Sequence, residues 1–139
     1  MSVDADFVLS GERTTDRIDR ALAILGFKRH RDRYVHKSIP FFVEFPTGPL
    51  GIGDDFLIRP VWKTKRTART LALSATDSCR DRLAAFYHWR DRQSLSAAVE
   101  IAIRNNVAFR KIREWSVREG HAAAYESFLF ELRASRSAR

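Results

Sequence analysis

Three carboxylates stand out from this 139-residue chain by type and spacing. Asp4 and Asp6 alternate with Val3, Ala5 and Phe7, so on an extended strand both acids project from one face while the apolar residues point the other way. Two like charges about 7 Å apart invite a cation. Glu44 is the one charged residue in FFVEF, the most apolar stretch of the chain, and burial there calls for a metal, a basic residue such as Arg59 across a sheet, or a proton. Taken singly, each acid has a plainer reading: Asp4 and Asp6 as solvated acids near a terminus, Glu44 as half of an ion pair or on a solvent-facing side. If the two strands are neighbours, however, three hard oxygen donors meet. Such a set suits Mg²⁺, which typically bridges one or two carboxylates to substrate phosphates.

The elements that must position these acids follow from periodicity. Residues 6–10 read as a short strand. Thr14 or Thr15 then caps a helix whose apolar positions Ile18, Leu22 and Leu25, with Ala21, fall at helical spacing before Gly26 ends it. Residues 27–30 and 33–36 read as strands around the turn Arg31-Asp32, and 39–45 gives the strongest strand signal, bounded by Pro40 and Pro46. PTGPLGIGDD is a Gly/Pro loop, with further short strands at 56–62 and 70–73. After Leu73 the period changes. Ser74-Ala-Thr-Asp77 reads as a capping box, and Cys79, Leu83, Phe86, then Leu95, Val99, Ala102 and Ile103 recur at helical spacing. Two more helices are expected over about 109–118, with Ile112 and Trp115 inward, and 122–133, with Tyr125, Phe128, Leu129 and Leu132 inward. The expected architecture is α+β: a small mixed sheet with a helix over residues 1–75, a helical bundle over 76–133, and an aperiodic tail, 134–139, that should be mobile.

Charge is split unevenly. Residues 1–60 hold nine Lys/Arg and nine Asp/Glu, whereas 61–139 hold sixteen against eight and so carry the whole net charge of +8. Arginine supplies twenty of the 25 cations, and its planar fork suits phosphate. RNA contacted through 61–139 is one expectation, and Lys63-Thr-Lys-Arg-Thr-Ala-Arg69 is either a solvated hairpin or loop, or a phosphate-backbone contact. The lone Cys79 excludes an internal disulfide and reads as a small buried residue. The four histidines show no metal-ligand spacing, and Phe86 to Trp89 read as a core aromatic cluster. Gly48-Pro-Leu-Gly-Ile-Gly53 lacks the Lys-Ser/Thr of a phosphate-binding loop and is read as a turn. No apolar run approaches the roughly 20 residues that span a bilayer, and MSVDADF lacks the features of a secretory signal; a cytoplasmic protein is expected.

The order Asp-h-Asp-h into a strand, then a helix, then a strand reading h-Glu-h resembles the nucleotidyltransferase superfamily typified by DNA polymerase β. SVDADFVLSG is similar to its catalytic strand, TTDRIDRALAILGF to the following helix, and FFVEFPTGPLGIGDD to the strand bearing the third acid. The helical half, with DRLAA and HWRDRQSL, resembles the nucleotidyltransferases of bacterial abortive-infection and toxin–antitoxin systems. The resemblance implies Mg²⁺ held by Asp4, Asp6 and Glu44, an NTP as substrate, and an acceptor hydroxyl, that of RNA included. It implies that Arg82 takes the place of a usual lysine and that Asp91 supports the site. It assigns Ser2, Arg82 and Asp91 to the nucleotide, and an antitoxin or a second chain as partner. The superfamily's Gly-Ser element on a helix before the acids has no counterpart ahead of Asp4, which favours weak or lost activity. The other expectation is therefore a degenerate member that binds nucleic acid or a partner through its basic half.

Overall fold

The computed structural model describes residues 4–9 and 15–138. By its internal contacts the chain divides into two units, Met1–Leu50 and Gly51–Arg139.

Among the described residues the first unit is a four-stranded mixed sheet carrying one helix. In chain order it holds β1 (Asp4–Asp6), α1 (Thr15–Ile24), β2 (Lys28–His30), β3 (Arg33–Val35) and β4 (Phe42–Glu44). Spatially the strands run β1-β4-β3-β2, with β1 parallel to β4 and the other two pairs antiparallel. β1 lies earlier than the strand expected at 6–10, so the two aspartates themselves form it. Helix α1 closes in a Schellman turn: Gly26 N–H donates to Ala23 O and Phe27 N–H to Leu22 O. That turn needs the left-handed backbone of Gly26, at φ 84°, where a Cβ would also come within 2.6 Å of the His36 ring. Phe27, Tyr34 and Val43 form the buried cluster, with Ala5, Ile18, Leu22, Ile39 and Phe45 packed around it. Leu25, expected inward, lies beyond the helix end and is exposed. Thr14, one of the two expected caps, is outside the described residues.

The second unit opens with the loop around Ile52 and Asp55, which form an isolated bridge. A two-stranded ribbon follows, β5 (Val61–Lys65) paired antiparallel with β6 (Ala68–Ala72), and then four helices: α2 (Ala75–Trp89), α3 (Arg92–Arg104), α4 (Phe109–Arg118) and α5 (Ala122–Ser137). The ribbon is a sheet of its own, so the strands expected at 56–62 and 70–73 do not extend the first sheet. Residues 51–75, read from the pattern as part of the sheet domain, belong to the helical unit. Ser74 caps α2 as its sequence indicates, accepting the Asp77 N–H at 3.0 Å. Left-handed Arg90 ends α2 and Asp91 starts α3. The stripes read from the sequence are those that are buried: Cys79, Leu83 and Phe86 on α2, Leu95, Val99 and Ala102 on α3, Ile112 and Trp115 on α4, and Tyr125, Phe128 and Leu132 on α5. Full burial of each large side chain contributes roughly 1.5–3 kcal/mol. Residues 134–137 continue α5 instead of forming an aperiodic tail. Ala134 and Arg136 favour helix, and Arg136 lies 6.0 Å over the Phe109 ring. Among the described residues no helix is long and apolar enough to cross a membrane.

Candidate functional site

The alternation D-A-D in β1 and F-V-E in β4 decides which side chains share a face. Ala5 and Val43 are register partners and turn toward α1, where Ile18 and Leu22 cover them. The Tyr34 hydroxyl donates to Asp19 Oδ1 at 2.6 Å on that covered side. Burial first, and then this bond to a carboxylate, push the Tyr34 phenol above its ordinary value.

The opposite face carries the acids. Asp6 pairs with Glu44 and Asp4 with Phe42 across the parallel ladder, and the Phe7 N–H extends it to Glu44 O at 3.0 Å. Directly paired residues project to the same side, so Asp4, Asp6 and Glu44 share one face on adjacent strands. Asp4 and Asp6 are exposed and Glu44 is half-buried. The cross-strand neighbour of Glu44 on β3 is Arg33, whose guanidinium lies 4.7 Å over the Phe42 ring. Arg59, considered from the sequence as a partner for Glu44, is outside this sheet. The donors are hard oxygens of the kind Mg²⁺ takes. Among the described residues, however, no three Asp, Glu, His or Cys side chains are gathered into a ready coordination shell. A cleft of about 360 Å³ over Gly26, Lys28, His36 and Lys37, and another of about 160 Å³ between α3 and α5, hold none of the three acids. With Asp4 and Asp6 exposed and Glu44 half-buried, the described part of the carboxylate face is open to solvent.

Ser2 lies outside the described residues. Arg82 and Asp91 both belong to the helical unit. Arg82 Nε donates to Asp81 Oδ2 at 3.0 Å. Asp91 is the N-cap of α3, accepting the Gln93 N–H at 2.9 Å and the Ser94 hydroxyl at 2.6 Å. The Ser94 hydroxyl is the main reason the Asp91 carboxyl titrates below its ordinary value, and the charge of Arg82 adds to it. Capping thus accounts for the aspartate in HWRDRQSL.

Sequence reasoning missed the most deeply buried charges. Arg80, 1% exposed, donates to Asp77 Oδ1 at 2.8 Å and to Asp55 Oδ2 at 2.5 Å, while Lys111 Nζ reaches Asp77 Oδ1 at 3.1 Å. The Arg80 guanidinium lies 5.0 Å over Trp115. Among the described residues its Nε and the indole Nε1 are buried without a hydrogen-bond partner. The available signal was position: Arg80 falls three before Leu83 and seven before Tyr87, inside the buried stripe of α2. Cys79 is buried, as expected, and burial pushes its thiol up to about 12, so it remains a protonated core residue at neutral pH. Phe86 and Tyr87 are buried, but His88 and Trp89, read as core with them, are exposed.

The ribbon presents a surface of different character. Every residue of β5, and all of β6 but Ala72, is exposed. Trp62 and Leu71 are register partners on one face with Thr64 and Arg69, and the Arg69 guanidinium sits 4.6 Å over the Trp62 ring. Lys63 and Lys65 lie on the other face, and Arg66 is at the turn with φ 55°.

The chain matches no family model, no curated protein and no solved structure.

Proposed function

We propose that the sheet unit is a Mg²⁺-dependent nucleotidyltransferase centre, moving a nucleoside monophosphate from an NTP to an acceptor hydroxyl. The single observation that supports this is the β1–β4 register, which pairs Asp6 with Glu44 and sets Asp4 on the same open face. Asp4 and Asp6 would hold the metal, whose chemistry is to neutralise triphosphate oxygens as charge moves during transfer. Glu44, the least exposed of the three, takes the proton from the acceptor hydroxyl. The acceptor oxygen then bonds to the α-phosphorus and pyrophosphate leaves. Arg33, opposite Glu44, supplies a fixed cation at that edge. The basic half of the chain supports RNA as the acceptor class.

Calorimetric titration of the full chain with each NTP, with and without Mg²⁺, tests the reading. Binding that needs Mg²⁺ and disappears in Asp6→Asn is the expected result; no NTP binding by a folded chain overturns it.

A second reading, a protein of this fold that only binds nucleic acid, is favoured by one specific observation. The ribbon displays cations and an indole on a surface remote in sequence from the acids.

A further inference from the structure

From the β5–β6 ribbon we infer a docking platform for single-stranded nucleic acid, with a base stacking at Trp62 and phosphates held by Lys63, Lys65, Arg66 and Arg69. The inference rests on the nucleic-acid reading of the basic half, and not on nucleotidyl transfer.

Charge pairing is the first argument. The helical unit owes its formal excess to many arginines, but Arg80, Arg82, Arg92, Arg104, Arg110 and Lys111 are all in ion pairs with acids of that unit. Residues 56–76 contain five cations and no acid. Among the described residues none of those five lies in an ion pair. Among the described residues Arg90, Arg113, Arg118, Arg133 and Arg136 of the helices also lie outside these ion pairs, but acids are interspersed with them, whereas the ribbon and its approach form the longest stretch of the chain without one. Unpaired cations on an exposed strand pair are where phosphate neutralisation releases counterions at least internal cost.

Display of apolar surface is the second argument. Trp62 is 59% exposed and Leu71 49%, on an element that buries neither face. Trp62 pairs across the strands with Leu71 and carries Arg69 over its ring, which supports a two-stranded ribbon that is otherwise only marginally stable in water, yet this leaves more than half of the indole exposed. The Arg69 guanidinium holds the Trp62 ring in place. The Trp62–Arg69 pair on one face, with Arg66 at the turn and Lys63 and Lys65 on the reverse face of a ribbon only two strands wide, offers a ring to an unpaired base and cations to the backbone that passes around it.

The other occupants fit less well. Lysines along an edge oppose addition of a protein strand, and the ribbon's tip, Arg66-Thr67, is too polar to enter a bilayer. A duplex offers phosphates but keeps its bases stacked away from the indole.

The test is fluorescence anisotropy of the full chain with fluorescein-labelled oligo(U) of 12 nucleotides and a 12-base-pair RNA duplex, in EDTA and without NTP. Failure of transfer chemistry therefore cannot affect the result. With four phosphates contacted, raising salt from 50 to 200 mM should weaken single-strand binding about fiftyfold. Lys63→Gln with Lys65→Gln should lower the log–log salt slope by about 1.4. Trp62→Leu should weaken binding roughly ten- to a hundredfold while Trp62→Phe stays within a few fold, because only the second keeps a ring to stack on. Circular dichroism checks that each variant is folded, and the lysine pair provides the answer if Trp62→Leu is not. Absence of binding, salt-independent binding, equal affinity for the duplex, or equal affinity of Trp62→Leu and Trp62→Phe would overturn the proposal.

Discussion

Arg80 shows how far a single side chain commits the helical unit. It is held between Asp77 and Asp55 with its guanidinium over Trp115, so removing it takes the main partner from Asp55 and leaves buried Asp77 with Ser74 and Lys111 alone. Loss of one partner of a buried pair typically costs about 3–5 kcal/mol. Arg80→Ala should lower the urea midpoint by a corresponding amount, read from the fluorescence of buried Trp115, and an unchanged midpoint would show the pair to be expendable. The acids give a pH dependence of definite sign. Asp55 is held below its ordinary value mainly by Arg80, with help from the Leu57 N–H. For Asp77, burial is the largest influence and pushes upward, but the bonds from Ser74, Lys111 and Arg80 together outweigh it and the net shift is down. A lowered folded pKa contributes stability that is fully present above the unfolded value, near 3.9, and is lost as pH falls through the folded one. The unit should therefore lose stability below about pH 4, and Asp77→Asn should flatten that loss. Half of this cluster was legible: Ser74-x-x-Asp77 announces a cap, but the partner of Arg80 that lies 25 residues before it, Asp55, cannot be read from local spacing.

Elements were legible where their pattern is local and obscure where it depends on a distant partner. The alternation around Ala5 and Val43 was sufficient to put Asp4, Asp6 and Glu44 on one face, because period-two burial fixes sidedness once the strands are neighbours. The ribbon was harder, since a β-rich run such as 61–72 does not state which strand it joins. The loop before it was read as a plain turn, yet it is clamped. The Asp54 N–H donates to both Glu119 carboxylate oxygens, at 3.0 and 3.3 Å, Asp55 meets Arg80, and Ile52 is buried. Gly53 makes this approach feasible, with φ 58° and the Glu119 carboxylate where a Cβ would be. Gly53→Ala should thus cost about 1–3 kcal/mol through left-handed strain and displacement of Glu119. Ser74→Ala, which removes only the α2 cap, should cost about 1 kcal/mol. Chemical denaturation of both variants gives the comparison, and a harmless Gly53→Ala would mean that Glu119 does not hold the loop.

On the scale of the whole molecule, the two units differ sharply in what holds them together. Among the described residues the sheet unit buries three apolar side chains, Phe27, Tyr34 and Val43, whereas the helical unit buries fifteen, from Ile52 to Leu132. Composition alone gave no hint of this, because apolar residues are spread along the chain and the sheet unit leaves Phe7, Ile24, Leu25 and Phe41 exposed. Stability against opening follows buried apolar contact, so amides of β1–β4 and α1 should exchange with deuterium well before those of α2, α3 and α5. The same measurement tests the proposed chemistry where it should act. A ligand that binds only the folded state stabilises it by about 2.7 kcal/mol at a hundred times its Kd, equivalent to a hundredfold slowing of exchange through global opening of the unit. Saturating Mg²⁺ and NTP should therefore slow exchange in the sheet unit by up to about a hundredfold, most at β1 and β4, and leave α2–α5 near their free rates. Slowing confined to α2–α5, or none at all at these concentrations, would remove the nucleotide from the Asp4–Asp6–Glu44 face and leave binding at the ribbon as the function this fold supports.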